Sequence, residues 1–526
     1  MNTRNIIGFS ESTGTEKTLQ GVNPIDNTMF EEEFFIASDE DVNNALNKAD
    51  EAFKVFKKST ADDRALFLEK IADEMEALGE ILVKRASLET GLPEARIIGE
   101  RGRTTGQLRM FAGYIREGSY LEASIDTALP ERAPVPKPDL RKMMVPLGPV
   151  VVFGASNFPL AYSVAGGDTA AAFAAGCPVI VKAHPGHPGT SALVGGAIAK
   201  AAKDTGMPDG VFSLLFDSGF AVGKALVGHP STRAVGFTGS LAGGRALFDI
   251  AAQRELPIPV FAEMGSINPS ILLPQALQTR AQQIADTYAG SITLGAGQFC
   301  TNPGLILGIA GDGLNNFINQ LADGITKSQP ATMLHSGISE AYRNKSQIMT
   351  DQFGVEFIGK AENEAAQSEG LPTLAKAPGA EFIKNPKLHE EVFGPFSLII
   401  ECKDKAELEE CCAMLSGQLT TTIIGEEDEF TEYTDLLSEL QEKAGRVIFK
   451  GVPTGVEVCP SMVHGGPYPA TTDSRFTAVG VHSIKRFLRP VSFQDAPESI
   501  LPKALHNENN LKIWRSINGE LTKEHV

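Results

Sequence analysis

Between residues 145 and 240 the sequence says nearly the same thing four times. VPLGPVVVFGASNFP, CPVIVKAHPG, GVFSLLFD and AVGFTGS are short apolar, β-branched runs that each lead into Gly, Ser, Asn or Pro. Ala-rich stretches of helical character, residues 166–175, 190–205 and 221–227, fall between them. Strands that are apolar throughout and separated by helices pair most readily as a parallel sheet covered on both faces. Ligand-facing loops then gather at the strand ends. This arrangement predicts an α/β lobe suited to a nucleotide.

A second α/β pattern follows Phe261, through NPSILL, GLILGI, FSLIIE, TTTIIG and GRVIFK. Before the first pattern, residues 41–82 and 94–118 repeat apolar positions at three and four with charges between them, which predicts helices that pack through one face. The passage ALPERAPVPKPDLRKM is Pro-rich and suits an exposed arm. A chain of 526 residues exceeds what one core usually supports, so two large lobes and a small appendage are expected. No fixed-period repeat and no low-complexity segment is present.

Composition narrows the partners. The formal net charge of -18, with no basic block to offset it, argues against nucleic acid or an anionic membrane surface. A small molecule is the expected ligand. No apolar run is long enough to span a bilayer, and the N-terminus lacks the pattern of a secretory signal. The six cysteines show neither CxxC spacing nor a nearby His pair, so neither a disulfide framework nor a structural metal is expected. The reading is a cytoplasmic protein with free thiols.

One thiol stands apart. Cys300, in GAGQFCTNPG, lies among glycines that let a backbone approach a ligand closely. Most cysteines are small buried hydrophobes, but a loop cysteine with amides around it suits a nucleophile. Glu263, in FAEMGSINPS, follows an apolar strand and can project from its end into a cleft as a base; an isolated Glu is otherwise a solvated side chain. Asn157, in FGASNFP, carries an amide suited to an oxyanion, and equally suits an Asx turn before Pro159. In GFTGSLAGGRAL, Gly239 and Gly244 follow a strand and open a helix, where backbone N–H groups face an anion. A plain tight turn has the same signature. Lys182 ends the strand PVIVK, where it reaches a ribose or phosphate or simply meets solvent.

Taken in order, Asn157-Phe158-Pro159, Val181-Lys182, Phe237-Thr238-Gly239-Ser240, Glu263 with Gly265, Gly297-Gln298-Phe299-Cys300 and Glu391-Val392-Phe393-Gly394-Pro395 resemble the aldehyde dehydrogenase superfamily over nearly the whole chain. GERGRTTGQLRMFA, VKAHPGHPGTS, EMGSINP and PTGVEVCPSMVHGGPYPATTDSRFTAVG resemble the branch holding α-ketoglutaric semialdehyde (2,5-dioxovalerate) dehydrogenases and NADP-using fatty aldehyde dehydrogenases. The resemblance implies Cys300 as nucleophile, Glu263 as base for thioester hydrolysis and Asn157 as oxyanion donor. It further implies cofactor contacts from Lys182, Ser240, Gly239, Gly244, Phe158, Glu391 and Phe393, and no metal.

The implied architecture is a Rossmann-like nucleotide lobe from residues 1–118 and 145–262, and a catalytic lobe from 263–480. An oligomerisation arm from 119–144 and 481–500 and a tail or docked helix from 501–526 complete it. An arm that caps a neighbour's sheet edge implies a homodimer or homotetramer. Pro185 stands where many NAD-preferring members carry a glutamate, which favours NADP, with His184 and His187 beside Lys182 as further partners and NAD still possible. Ser266 replaces a family glycine beside Glu263. The expected substrate is 2,5-dioxopentanoate, with Arg103 or Arg109 facing its carboxylate and residues 453–464 walling the funnel. A fatty aldehyde or a non-redox nucleotide-binding role are the alternatives.

Overall fold

The computed structural model describes residues 1–526. The repeated phrase folds as strands Val150–Phe153, Val179–Lys182, Phe212–Leu215 and Ala234–Thr238. Val260–Glu263 joins them to make five parallel strands. Alternate residues explain why these runs are apolar throughout. Val150, Val152, Val179 and Val181 enter one core with helices Ala61–Ala77, Glu94–Glu117, Gly167–Ala175 and Pro188–Asp204. Val151 and Ile180 face the other way, against helices Asp39–Phe56, Ala221–Gly228 and Leu241–Ala252. The N-terminal helices start at reciprocal caps, Ser38 with Asp41 and Thr60 with Asp63, which satisfy amides that the first turn leaves open.

Two short strands at the N-terminus, Asn5–Ile7 and Ser10–Ser12, extend this sheet beyond Phe212–Leu215 in antiparallel fashion. Neither was legible in the sequence, because three-residue strands leave no period to read.

A second seven-stranded sheet runs in the order Glu356–Lys360, Thr373–Pro378, Phe396–Cys402, Leu305–Ile309, Ser270–Leu272, Gln418–Ile424 and Ala444–Ile448. All pairings are parallel except that of the edge strand Glu356–Lys360. Helices cover both of its faces, again with separate cores.

The third sheet corrects the expectation for the C-terminus. Leu140–Pro146 pairs with Leu488–Gln494 and with Ser124–Asp126. Residues after 501 are no docked helix: Arg515–Ile517 and Glu520–Thr522 form a hairpin that joins this same sheet through Ser124–Asp126. Asn518 and Gly519, at φ 51° and 89°, make the turn. Asn-Gly between two short apolar runs is the usual two-residue hairpin signal. Leu501, Leu505 and Ile513 pack there on Ile125 and Met143.

Candidate active site

The C-terminal ends of the first sheet carry four of the residues singled out from the sequence. Lys182 and Glu263 end their strands, Asn157 lies just beyond Phe153, and Gly239 follows Thr238. Ser240 caps helix Leu241–Ala252, accepting a hydrogen bond from the Gly243 N–H at 3.2 Å. Gly244 lets that helix lie against the Glu263 strand, since a Cβ there would sit 2.7 Å from the Met264 side chain. The Lys182 side chain is buried enough that desolvation pulls its ammonium down, while the charge of Asp217 opposes that.

Cys300 comes from the second sheet, on the turn that enters Leu305–Ile309. Gly295, Ala296 and Gly297 are successively left-handed, at φ 55°, 54° and 64°. A Cβ on Gly297 would fall 2.3 Å from the Gly394 backbone, so the glycine in GQFC is a packing requirement. The turn is pinned by Asn268, whose Nδ2 donates to the Cys300 carbonyl at 2.8 Å and to the Asn302 carbonyl at 2.9 Å. Ser266, the departure from the family glycine, is part of that anchor: its hydroxyl lies 2.9 Å from both Asn268 Oδ1 and Gln418 Oε1 and accepts from the Leu419 N–H. It holds the Glu263 loop to the second sheet.

The two sheets meet at three side chains. Glu263 Oε1 is 3.0 Å from His464 Nε2, and the same nitrogen is 3.6 Å from Cys300 Sγ. Glu263 and His464 are 3% and 1% exposed, so these contacts are shielded from water. Burial pushes the Glu263 carboxyl up, but the charge and hydrogen bond of His464 outweigh it and leave the group below the ordinary range. Burial, then the adjacent Glu263 carboxylate, push the Cys300 thiol well up. The resting sulfur is therefore a thiol that needs a base. Glu263 Oε2 is buried and has no partner. The ligand atoms of Glu263, Cys300 and His464 all lie within 4.8 Å of one another.

Asn157 Nδ2 donates to the Gln298 carbonyl at 3.2 Å, which brings its amide beside the cysteine turn. Phe158 packs edge-on against Tyr162 and Phe299, at 5.3 and 5.6 Å. Glu391 and Phe393 border a cavity with Ser266, Phe299 and Asn302, and burial lifts the Glu391 carboxyl to about 7.

Three expectations change. Arg109 lies on the outer face of its helix, bound to Glu76 and Asp73, and is remote in role from the funnel. Arg103, on the other face, donates to Tyr162 Oη at 3.2 Å. His187 has both ring nitrogens engaged, by the Ala155 carbonyl at 2.8 Å and the Ser191 hydroxyl at 3.3 Å, which leaves neither for a phosphate. His464, which contacts both Cys300 and Glu263, was not singled out in the sequence because it ends the passage read as a funnel wall. Its one sequence signal is a lone histidine before a Gly-Gly-Pro turn.

The chain matches the Aldehyde dehydrogenase family over residues 9–352, a span that includes Asn157, Glu263 and Cys300 but not Glu391 or His464. It is 50% identical over 516 residues to Alpha-ketoglutaric semialdehyde dehydrogenase 2 of Azospirillum brasilense, covering 98% of each chain. It is 45% identical over 523 residues to Alpha-ketoglutaric semialdehyde dehydrogenase of Acinetobacter baylyi, covering 99% of each. The solved betaine aldehyde dehydrogenase of Staphylococcus aureus in complex with NAD+ has the same fold, with a TM-score of 0.80 at 19% identity over 94% of this chain and 96% of that one. On the family match and on identity over nearly its whole length, this chain belongs to the aldehyde dehydrogenase family.

Proposed function

We propose that the chain oxidises an aldehyde to a carboxylate through a covalent intermediate on Cys300, with NADP favoured over NAD as hydride acceptor. The observation that carries this reading is the contact of His464 Nε2 with both Cys300 Sγ and Glu263 Oε1. One ring nitrogen has one in-plane position, so it either accepts the thiol proton or donates to the carboxylate. Moving the proton from sulfur to His464 and on to Glu263 frees the thiolate while the site keeps the single negative charge that the Glu263 carboxylate carried before.

The thiolate attacks the aldehyde carbon to give a thiohemiacetal. Its oxyanion is met by the Asn157 amide and the Cys300 N–H, which makes no hydrogen bond within the protein; each such donor typically contributes roughly 10²–10³ in rate. A nicotinamide cofactor held at this site would supply the acceptor for the aldehyde hydrogen as hydride, which would leave the acyl group on Cys300 as a thioester. Glu263, once it has passed the thiol proton to solvent, takes a proton through its unpaired Oε2 from the water that attacks the thioester. Carboxylate leaves and the thiol is restored.

The chain's own groups fit the cofactor. Lys182 ends its strand with a buried ammonium that an anion would satisfy, and the N-terminal turn of helix Leu241–Ala252 at Ser240 is suited to the pyrophosphate. Pro185 in place of a carboxylate removes repulsion against a 2′-phosphate, with Lys182 and His184 as its partners. Glu391 would accept from the nicotinamide ribose. The outer side of Leu488–Gln494 is a sheet edge, which supports assembly into a dimer or tetramer.

The names of the two long relatives and the arginine at the funnel support 2,5-dioxopentanoate as substrate, giving 2-oxoglutarate. The test is kcat/KM for 2,5-dioxopentanoate and for pentanal, each with NADP and NAD. Preference for the dioxo acid with NADP is expected. A preference for pentanal defeats the substrate assignment alone, and no cofactor reduction with any aldehyde defeats the redox reading.

A further inference from the structure

Helix Glu94–Glu117 carries Arg96 and Arg103 two turns apart, and so on one face. Farther along, Arg109 and Arg116 are held by carboxylates of helix Ala61–Ala77. Arg96 and Arg103 meet aromatic rings instead. The Arg96 guanidinium lies over the rings of Phe158 and Phe299, 4.8 and 4.6 Å from their centroids, and that of Arg103 lies over Tyr162 at 5.5 Å. The three rings form one patch, since Phe158 packs on both of the others. Phe158 directly follows Asn157, and Phe299 directly precedes Cys300.

Two contacts fix Arg96 beside the reacting groups. Its Nη2 donates to the Asn157 carbonyl at 3.0 Å. Its Nη1 lies against the turn that carries Cys300, where a Cβ on Gly295 would fall 2.9 Å from it. The residue is half-buried, and its Nε and Nη1 are neither bonded within the protein nor sealed from water. Arg103 differs: its Nη2 donates to Tyr162 Oη at 3.2 Å and its Nε is enclosed. Glu100, one turn after Arg96, directs Oε1 to the Leu160 and Ala161 amides at 2.8 and 3.0 Å. The accessible cation of this face is therefore Arg96.

Rings against its flat faces leave the edge of a guanidinium for an anion. The carboxylate carbon of an extended five-carbon chain lies about 5 Å from its aldehyde carbon. With the bond to sulfur and one carboxylate–guanidinium contact added, the reach from Cys300 is roughly 10 Å. That length crosses the Phe299 ring, which belongs to the neighbouring residue, and ends at the guanidinium stacked upon it.

We propose that Arg96 binds the α-keto carboxylate end of the substrate through its open N–H groups while the aldehyde end meets Cys300, and so selects the acid over a plain aldehyde. The assignment rests on the reading of the substrate as a dioxo acid. Arg96 also holds the Asn157 carbonyl, and loss of that contact would slow every aldehyde alike.

The experiment therefore reads a ratio. kcat/KM for 2,5-dioxopentanoate is divided by kcat/KM for pentanal in wild type, in Arg96→Gln and in Arg96→Met, whose side chain still covers the two rings. Each change should lower the ratio about tenfold or more, the loss expected for a charge-assisted hydrogen bond. Binding gives the same comparison where a variant turns over neither aldehyde: the advantage of 2-oxoglutarate over pentanoate in protecting Cys300 from iodoacetamide should fall by a similar factor. A ratio, or a protection advantage, that equals the wild-type value overturns the assignment and leaves Arg96 as a support for Asn157. A wild-type ratio below unity removes the dioxo-acid reading itself, and is seen before any variant is made.

Discussion

The two sheets reach the site from opposite ends of their strands. The first presents C-terminal ends: Asn157, Lys182, Gly239 and Glu263 all lie at or just beyond them. The second presents the entry side: Cys300 precedes Leu305–Ile309, and Glu391 and Phe393 precede Phe396–Cys402. The difference separates labour. Strand ends that lead into helices offer amides and positive dipole ends, which suit holding an anionic cofactor. Turns that lead into strands offer side chains on pinned backbone, which suits bond-making. Three residues cross that division: Glu263 and Asn157, first-sheet residues proposed to act at the reacting carbon, and Glu391, a second-sheet residue proposed to meet the cofactor.

This division can be broken most sharply at Cys300. Cys300→Ala should cut turnover by roughly 10⁴-fold or more, since no covalent path remains, while cofactor affinity measured by fluorescence titration stays near wild type. Loss of cofactor binding in that variant would show that the second sheet also does the holding.

His464→Gln should lower kcat by roughly 10²–10⁴-fold, the range for a positioned proton-transfer group. Alkylation of Cys300 by iodoacetamide should slow in parallel, because both reactions need the thiolate. Glu263→Gln should differ in kind, showing a burst of reduced cofactor followed by slow turnover as thioester accumulates. If the burst disappears as well, Glu263 acts at thiol deprotonation.

At the first sheet the effect should move from kcat to cofactor KM. Lys182→Ala should raise the KM for NADP about tenfold, as expected for one lost charged contact, with kcat at saturating cofactor little changed. A kcat loss as large as that of His464→Gln would erase the distinction between the lobes.

The smallest expected effect is that of pH on Glu391. Burial lifts this carboxyl to about 7, so it is largely protonated below that value and ionised above it. As the acceptor for ribose hydroxyls it works in the ionised form, and cofactor KM should fall as pH rises through about 7. For stability the sign is opposite: raised above its unfolded value, the group stabilises the fold at low pH and that contribution is lost as pH climbs through about 7. Glu391→Gln should flatten the KM profile; an unchanged profile assigns the pH dependence elsewhere.

Much of the fold was legible because both central sheets are buried on two faces, which forces continuous apolar runs such as PVIVK and FSLIIE. The N-terminal extension of the first sheet and the C-terminal hairpin were not, since three-residue strands carry no period. Asn518-Gly519 was the overlooked signal. Of the arginines on one helix, six positions apart, the periodicity said only that they diverge; packing against Glu76 and Asp73 shows that Arg109 is the outer one.

By itself the sequence determined the alternation of strand and helix, the loops where Asn157, Lys182, Glu263 and Cys300 sit, and the absence of a carboxylate at Pro185, because each depends on neighbours a few residues away. Only the tertiary structure decided that His464 stands between Cys300 and Glu263, residues 164 and 201 positions distant, and that Ser266 ties the Glu263 loop to the second sheet through Asn268 and Gln418. Those contacts exist because two separately folded sheets bring opposite strand ends together, and no local pattern encodes a distance set by packing one lobe against another.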